Sequence, residues 1–163
     1  MVIYYINCYI NYEGIDSFMK FLIQKVSKAQ VSIDNKLYSK IDKGLVVFIG
    51  ITHTDTKNIA DYMINKLINL RIFKDKNDKL NLSLKDVAGQ LLLVSQFTLY
   101  ADCSRGNRPS FIDAAKSDYA NMIYEYIVDE LSKKCDVVKT GIFGAHMQVS
   151  LINDGPTTII LEK

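Results

Sequence analysis

The chain has 163 residues, which suits one domain, and 48% of them are hydrophobic, enough to bury a core. Its 20 Lys and Arg against 18 Asp and Glu leave a net charge of +2, which argues against a strongly basic surface built to coat a polyanion. No apolar run reaches the roughly 18 residues of a membrane span, and Cys8, Cys103 and Cys135 are too far apart for a Cys-x-x-Cys pair, so reduced thiols are expected rather than a disulfide frame or a zinc site.

Residues 1–18, MVIYYINCYINYEGIDSF, hold four of the ten Tyr and no Lys or Arg. They lack the basic start and small-residue cleavage site of a secretory signal. We read them as a non-native or disordered extension, with translation starting at Met19 and a single domain over 19–163. Lys20 to Ser27 and Ala29 to Asp34 read as β, Asn35-Lys36 as a turn, and LYSKI as the return strand. GLVVFIGI, Gly44 to Ile51, is continuously apolar and predicts a central strand covered on both faces. A helix follows, capped by Asp55 or Thr56, with Ile59, Met63, Leu67 and Leu70 at helical spacing. KDKNDK reads as a polar loop. A strand is expected from Gln90 to Leu99, then a loop, ADCSRGNRPS, broken by Gly106 and Pro109. A second helix is expected from about Asp113 to Lys133, with Tyr119, Met122, Ile123, Tyr126, Ile127 and Leu131 on one stripe. DVVKTGIFG, HMQVSLI and TTIILE read as three short β segments. The sum is a single α/β domain: a mixed, largely antiparallel sheet with two covering helices.

Two stretches invite chemistry. LLLVSQFTLYAD, residues 91–102, opens as a buried strand and turns polar at Ser95, Gln96 and Thr98. Polar groups there need partners or a ligand. A serine or threonine hydroxyl needs a base to become a nucleophile. The only histidines are His53 and His146, each of which reads more simply as an edge or surface residue, so no triad is supported. On strand alternation Gln96, Thr98 and Tyr100 share one face, with Ser95 and Phe97 on the other. Backbone N–H groups left free at the strand end offer another route, an oxyanion hole for acyl chemistry. The simpler reading has Ser95 and Thr98 bonding a neighbouring loop. NDGPTT, Asn153 to Thr158, carries a turn signal between two β segments, and a Gly-Pro pair presents rigid backbone to whatever lies beside it. Arg105 and Arg108 in SRGNRP are ordinary loop arginines unless they hold phosphate.

Together MKFLIQKVSKAQVSI, SQFTLYAD, RGNRPSF and TGIFGAHMQVSLINDGPTTI resemble the D-aminoacyl-tRNA deacylases of the bacterial and eukaryotic type, in that family's order over Met19 to Lys163. The resemblance implies a homodimeric, β-barrel-like fold. It implies a cytoplasmic enzyme that hydrolyses the ester joining a D-amino acid to tRNA, or glycine mischarged on tRNA-Ala, with no metal or organic cofactor. Ser95, Gln96, Phe97 and Thr98 would line the pocket for the tRNA acceptor end, with N–H groups around Phe97 facing the ester carbonyl. Met147 would join Lys25 among the substrate-binding residues. Gly155 and Pro156 would form a cis element that reaches into the partner subunit's site and clashes with any L side chain, a selection by exclusion. Arg105 and Arg108 would touch tRNA. Two nucleophile schemes stay open: the Thr98 hydroxyl, or water activated by the terminal ribose 2′-OH, which the lack of a base favours. Lys25 departs from the family's usual Arg, thought to hold the Gly-Pro region, and cannot make its planar two-pronged contact.

Rival readings are a nucleic-acid-binding dimer without hydrolase activity, an esterase for small esters, and a purely structural dimer. Relatives described as DNA-binding usually carry a C-terminal tail, which is not expected after the last strand here.

Overall fold

The computed structural model describes residues 3–7 and 18–163. The expected extension over 1–18 falls outside those residues except for Phe18 and Ile3–Asn7. The latter forms strand β1, parallel to the C-terminal strand, with Ile3 opposite Thr158 and Asn7 opposite Glu162.

Strand β2, Lys20–Ile33, organises the sheet. It pairs antiparallel with β3 (Lys36–Ile41), β4 (Gly44–Gly50) and β9 (Gln148–Glu162). In place of the expected break between Ser27 and Ala29 there is only a register shift against β9 between Val26 and Lys28, and β2 runs on through it. The hairpin turn sits at Asp34-Asn35, one residue earlier than expected, both at positive φ. Both are residues that tolerate the left-handed region. β4 continues in parallel to β7 (Gln90–Ser95), and β7 to β8 (Val138–Thr140). The sheet order is β1-β9-β2-β4-β7-β8, with β3 beside β2. It curls until β3 meets β8, where Ser39 Oγ donates to Thr140 O at 2.7 Å. This is the barrel-like sheet that the family resemblance implies.

β4 and β7 have two buried faces, as the continuous apolar run in Gly44–Gly50 predicts. Leu45, Val47, Ile49, Leu91 and Leu93 face the helices. Val46, Leu92 and Val94 face the inside of the curl with Val26 and Val31. Helix α1, Lys57–Asn69, buries Ala60, Met63, Ile64, Leu67 and Ile68. Its cap is Thr56, whose Oγ1 accepts from the Ile59 N–H. Asp55 turns inward instead. The polar loop KDKNDK is the tip of a small hairpin, with Phe73–Lys74 (β5) paired to Leu80–Leu82 (β6) on either side of it.

Helix α2, Ser117–Ser132, starts four residues later than expected. Residues 113–115 are drawn to the end of β4 instead: Thr52 Oγ1 donates to Asp113 O and the Ala115 N–H to Ile51 O. Ile123, Tyr124, Ile127 and Leu131 form its buried stripe, while Tyr119 and Met122, expected on that stripe, are exposed. Tyr124 reaches the sheet through its hydroxyl, which donates to Leu93 O at 2.9 Å. HMQVSLI and TTIILE are one strand, not two, because NDGPTT bulges without turning.

Candidate active site at the end of β7

The strand predicted to run to Leu99 ends at Ser95. The Gln96 N–H makes a last bond to Ile49 O at 2.8 Å, and Phe97–Tyr100 winds into a single 3-10 turn. Tyr100, buried, anchors the turn by donating its hydroxyl to Phe18 O at 2.7 Å. Strand alternation therefore does not order Gln96, Thr98 and Tyr100 on a common face. The first N–H groups of such a turn have no partner within it. Those of Phe97 and Thr98 make no hydrogen bond to any described residue. Two neighbouring amides are thus free at the strand end, although the β7 edge itself is paired.

The turn borders a cavity of about 590 Å³. Ser95, Gln96, Phe97 and Met147, all marked out in the sequence, line it. Phe111, Phe143 and His146 complete much of its wall. Phe97 is 58% exposed and packs edge-on against Phe111, with ring centroids 5.0 Å apart. Met147 can enter because Gly141 opposite has no side chain; a Cβ there would lie 2.3 Å from the methionine sulfur. An apolar, aromatic cavity with a few polar groups is the usual form of a small-ligand site. Phe111 and Phe143 were not singled out from the sequence. Each comes from a segment remote from β7, and no local pattern marks it.

Thr98 stands beside the lining. Its Oγ1 accepts from Gln96 Nε2, and no His, Asp or Glu is bonded to it. His53 is occupied elsewhere, with Nε2 2.8 Å from Ile112 O. Among the described residues no three His, Cys, Asp or Glu side chains gather as metal ligands. Asp55 is the nearby carboxyl with a displaced titration. It is 1% exposed, and burial pushes it up from 3.8 to about 7, partly opposed by the N–H groups of Thr52 and Met19. It accepts from the Thr52 N–H just beyond β4 and does not line the cavity.

Gly155 and Pro156 are elsewhere. The step from Gln24 to Val26 in β2 is matched by the longer step from Thr158 to Asn153 in β9, so the chain between them bulges out. The Asn153 side chain closes the bulge: Oδ1 accepts from the Thr157 N–H at 2.8 Å, and Nδ2 donates to Thr158 Oγ1 at 3.0 Å. The Gly155-Pro156 bond is cis, and Gly155 has φ +130°. Both residues are exposed and neither lines the cavity of its own chain. Lys25 lies beneath the bulge, its side chain 5% exposed, with Nζ 3.7 Å from Asp154 Oδ2. Arg105 and Arg108 sit on the exposed loop closed by the mutual backbone bonds of Asp102 and Ser110. That loop leads from the 3-10 turn to Phe111.

The protein described as D-aminoacyl-tRNA deacylase in Clostridioides difficile strain 630 is 51% identical over 145 residues, 89% of this chain and 97% of the relative. The protein of the same description in Thermosipho melanesiensis is 48% identical over 146 residues, with the same coverage. A solved structure described as "c-Myc DNA Unwinding Element Binding Protein" superposes with a TM-score of 0.84 at 37% identity, over 88% of this chain and 98% of that one. Residues 22–162 match the family described as D-Tyr-tRNA(Tyr) deacylase, and the chain belongs to that family.

Proposed function

We propose that this protein hydrolyses the ester between a D-amino acid and the 3′ end of tRNA. The observation that carries the reading is the pair of unpartnered N–H groups at Phe97 and Thr98, beside a cavity with no base bonded to a hydroxyl. Aimed at an ester carbonyl, two such donors stabilise the oxyanion that forms when water attacks. The carbonyl π bond opens, the tetrahedral intermediate collapses, and the ribose 3′-oxygen leaves with a proton. The terminal ribose 2′-OH assists the water, and Thr98, beside the lining, accepts a hydrogen bond from Gln96 and holds that side chain in place. Ser95, Gln96 and Met147 shape the space for the terminal nucleoside and aminoacyl group.

The Gly155-Pro156 bulge acts on a second copy of the chain. Its exposure, and its distance in the fold from the lining of its own cavity, support this. Inserted into the partner's site, it excludes L side chains and admits glycine and D side chains, so glycyl-tRNA mischarged on tRNA-Ala is also a substrate. Lys25 steadies the bulge through Asp154. The exposed Arg105 and Arg108 meet the acceptor end, and the reaction belongs to the cytoplasm, where translation uses aminoacyl-tRNA. A second reading, a nucleic-acid-binding dimer without hydrolysis, draws on the similarity to the DNA unwinding element binding protein. Release of the amino acid from D-aminoacyl-tRNA, followed alongside the mass of the protein in solution, separates the two. Hydrolysis by a dimer supports the proposal, and tight RNA binding without hydrolysis supports the alternative.

A further inference from the structure

Among the described residues that line the cavity, His146 alone carries an ionisable side chain. It is exposed, and its ring makes no hydrogen bond to a described residue. Gly144, two residues before it, is likewise exposed, at φ +74° with nothing within 4 Å of the place a Cβ would take, so this stretch of the wall meets solvent. The rest of the wall is aromatic, aliphatic or neutral polar. Asp113, Lys116 and Asp118 lie on the segments that complete the wall, but none of them lines the cavity. His53 is turned to Ile112 O, and Asp55 is buried and bonded to the Thr52 N–H.

A cavity of this size takes a terminal nucleoside and its aminoacyl group, but not the rest of an RNA. The first group left at the mouth is the phosphodiester that joins the terminal nucleotide to the next. We propose that His146 is a positioning residue that, when protonated, holds this phosphodiester and makes capture of the RNA 3′ end depend on pH. Histidine is the side chain whose ordinary titration spans the neutral range, and a charged donor to phosphate is a favourable, salt-sensitive contact. This inference rests on the deacylase reading.

The probe is an unacylated single-stranded RNA ending in CCA, which lacks the titrating α-amino group of an aminoacyl ester. Its binding to the full chain is measured at several salt concentrations at pH 5.5 and pH 8.0, for the parent, His146→Ala and His146→Lys. The parent is expected to bind about three- to fivefold tighter at pH 5.5. His146→Ala should remove that gain and flatten the salt slope at pH 5.5 by about 0.7, the share of one phosphate on a single strand. His146→Lys should bind alike at both pH values. Hydrolysis of D-aminoacyl-tRNA is followed in parallel, and the effect of His146→Ala should fall on KM more than on kcat. Intact hydrolysis with the pH and salt dependence unchanged in His146→Ala overturns the role of His146 alone. Absence of hydrolysis in the parent overturns the deacylase reading and this inference with it.

Discussion

Asp55→Asn should change how stability responds to pH. Burial holds the Asp55 carboxyl at about 7 instead of 3.8, so the folded protein keeps a proton that the unfolded chain has already released. The stability this group contributes is fully present below about pH 3.8 and is lost as pH rises to about 7, the reverse of the usual paired carboxylate. Between pH 5 and pH 8 that loss amounts to about 2–3 kcal/mol. Asparagine keeps an oxygen for the Thr52 N–H, which donates to Asp55 Oδ2 at 2.7 Å, and it never ionises. Urea unfolding at fixed protein concentration across this range should show the parent losing that stability and the variant losing about 2–3 kcal/mol less. The variant should be the more stable protein at pH 8. Equal pH slopes in the two proteins would refute the reasoning, because the proton would then have no preference for the folded state.

Thr98→Ala should slow hydrolysis of D-aminoacyl-tRNA by less than about tenfold, because the amides remain, whereas loss of a true nucleophile costs on the order of 10³-fold or more; single-turnover rates decide. Gly155→Ala should destabilise the chain by about 1–3 kcal/mol, since φ is +130° and the added Cβ would lie 2.5 Å from Thr157 Oγ1. Urea titration measures that cost, and the ratio of D to L hydrolysis in the same protein should fall. Neutralising Arg105 and Arg108 together should flatten the salt dependence of tRNA binding by about 1.4 if each meets one phosphate of the single-stranded end.

Where a segment is buried on both sides, the sequence predicts it well. Gly44–Gly50 is apolar throughout and lies mid-sheet because nothing in it tolerates water. Helix α1 was legible because its apolar spacing and Thr56 agree. The end of β7 was not, because Ser95, Gln96 and Thr98 could continue an alternating strand. What stops it is long-range: after the last bond of Gln96 to Ile49, Tyr100 is drawn to Phe18. NDGPTT carries the residues of a turn, yet continuous pairing of β9 with β2 on either side makes it a bulge, with the Asn153 side chain replacing ladder bonds. Ser95, Gln96, Phe97 and Met147 could be marked from motifs and do share a cavity. Phe111 and Phe143 join them only through tertiary packing. His146 looked ordinary in sequence because its setting is made by segments far from it in the chain.

The most direct measurement is the initial rate of deacylation by the full chain on matched D-, L- and glycyl-tRNA. The account predicts release of the D and glycyl forms, with the L form slower by at least about 10²-fold. Equal cleavage of D and L would contradict selection by the Gly155-Pro156 bulge. No cleavage of any of the three would contradict hydrolysis itself and favour the nucleic-acid-binding reading.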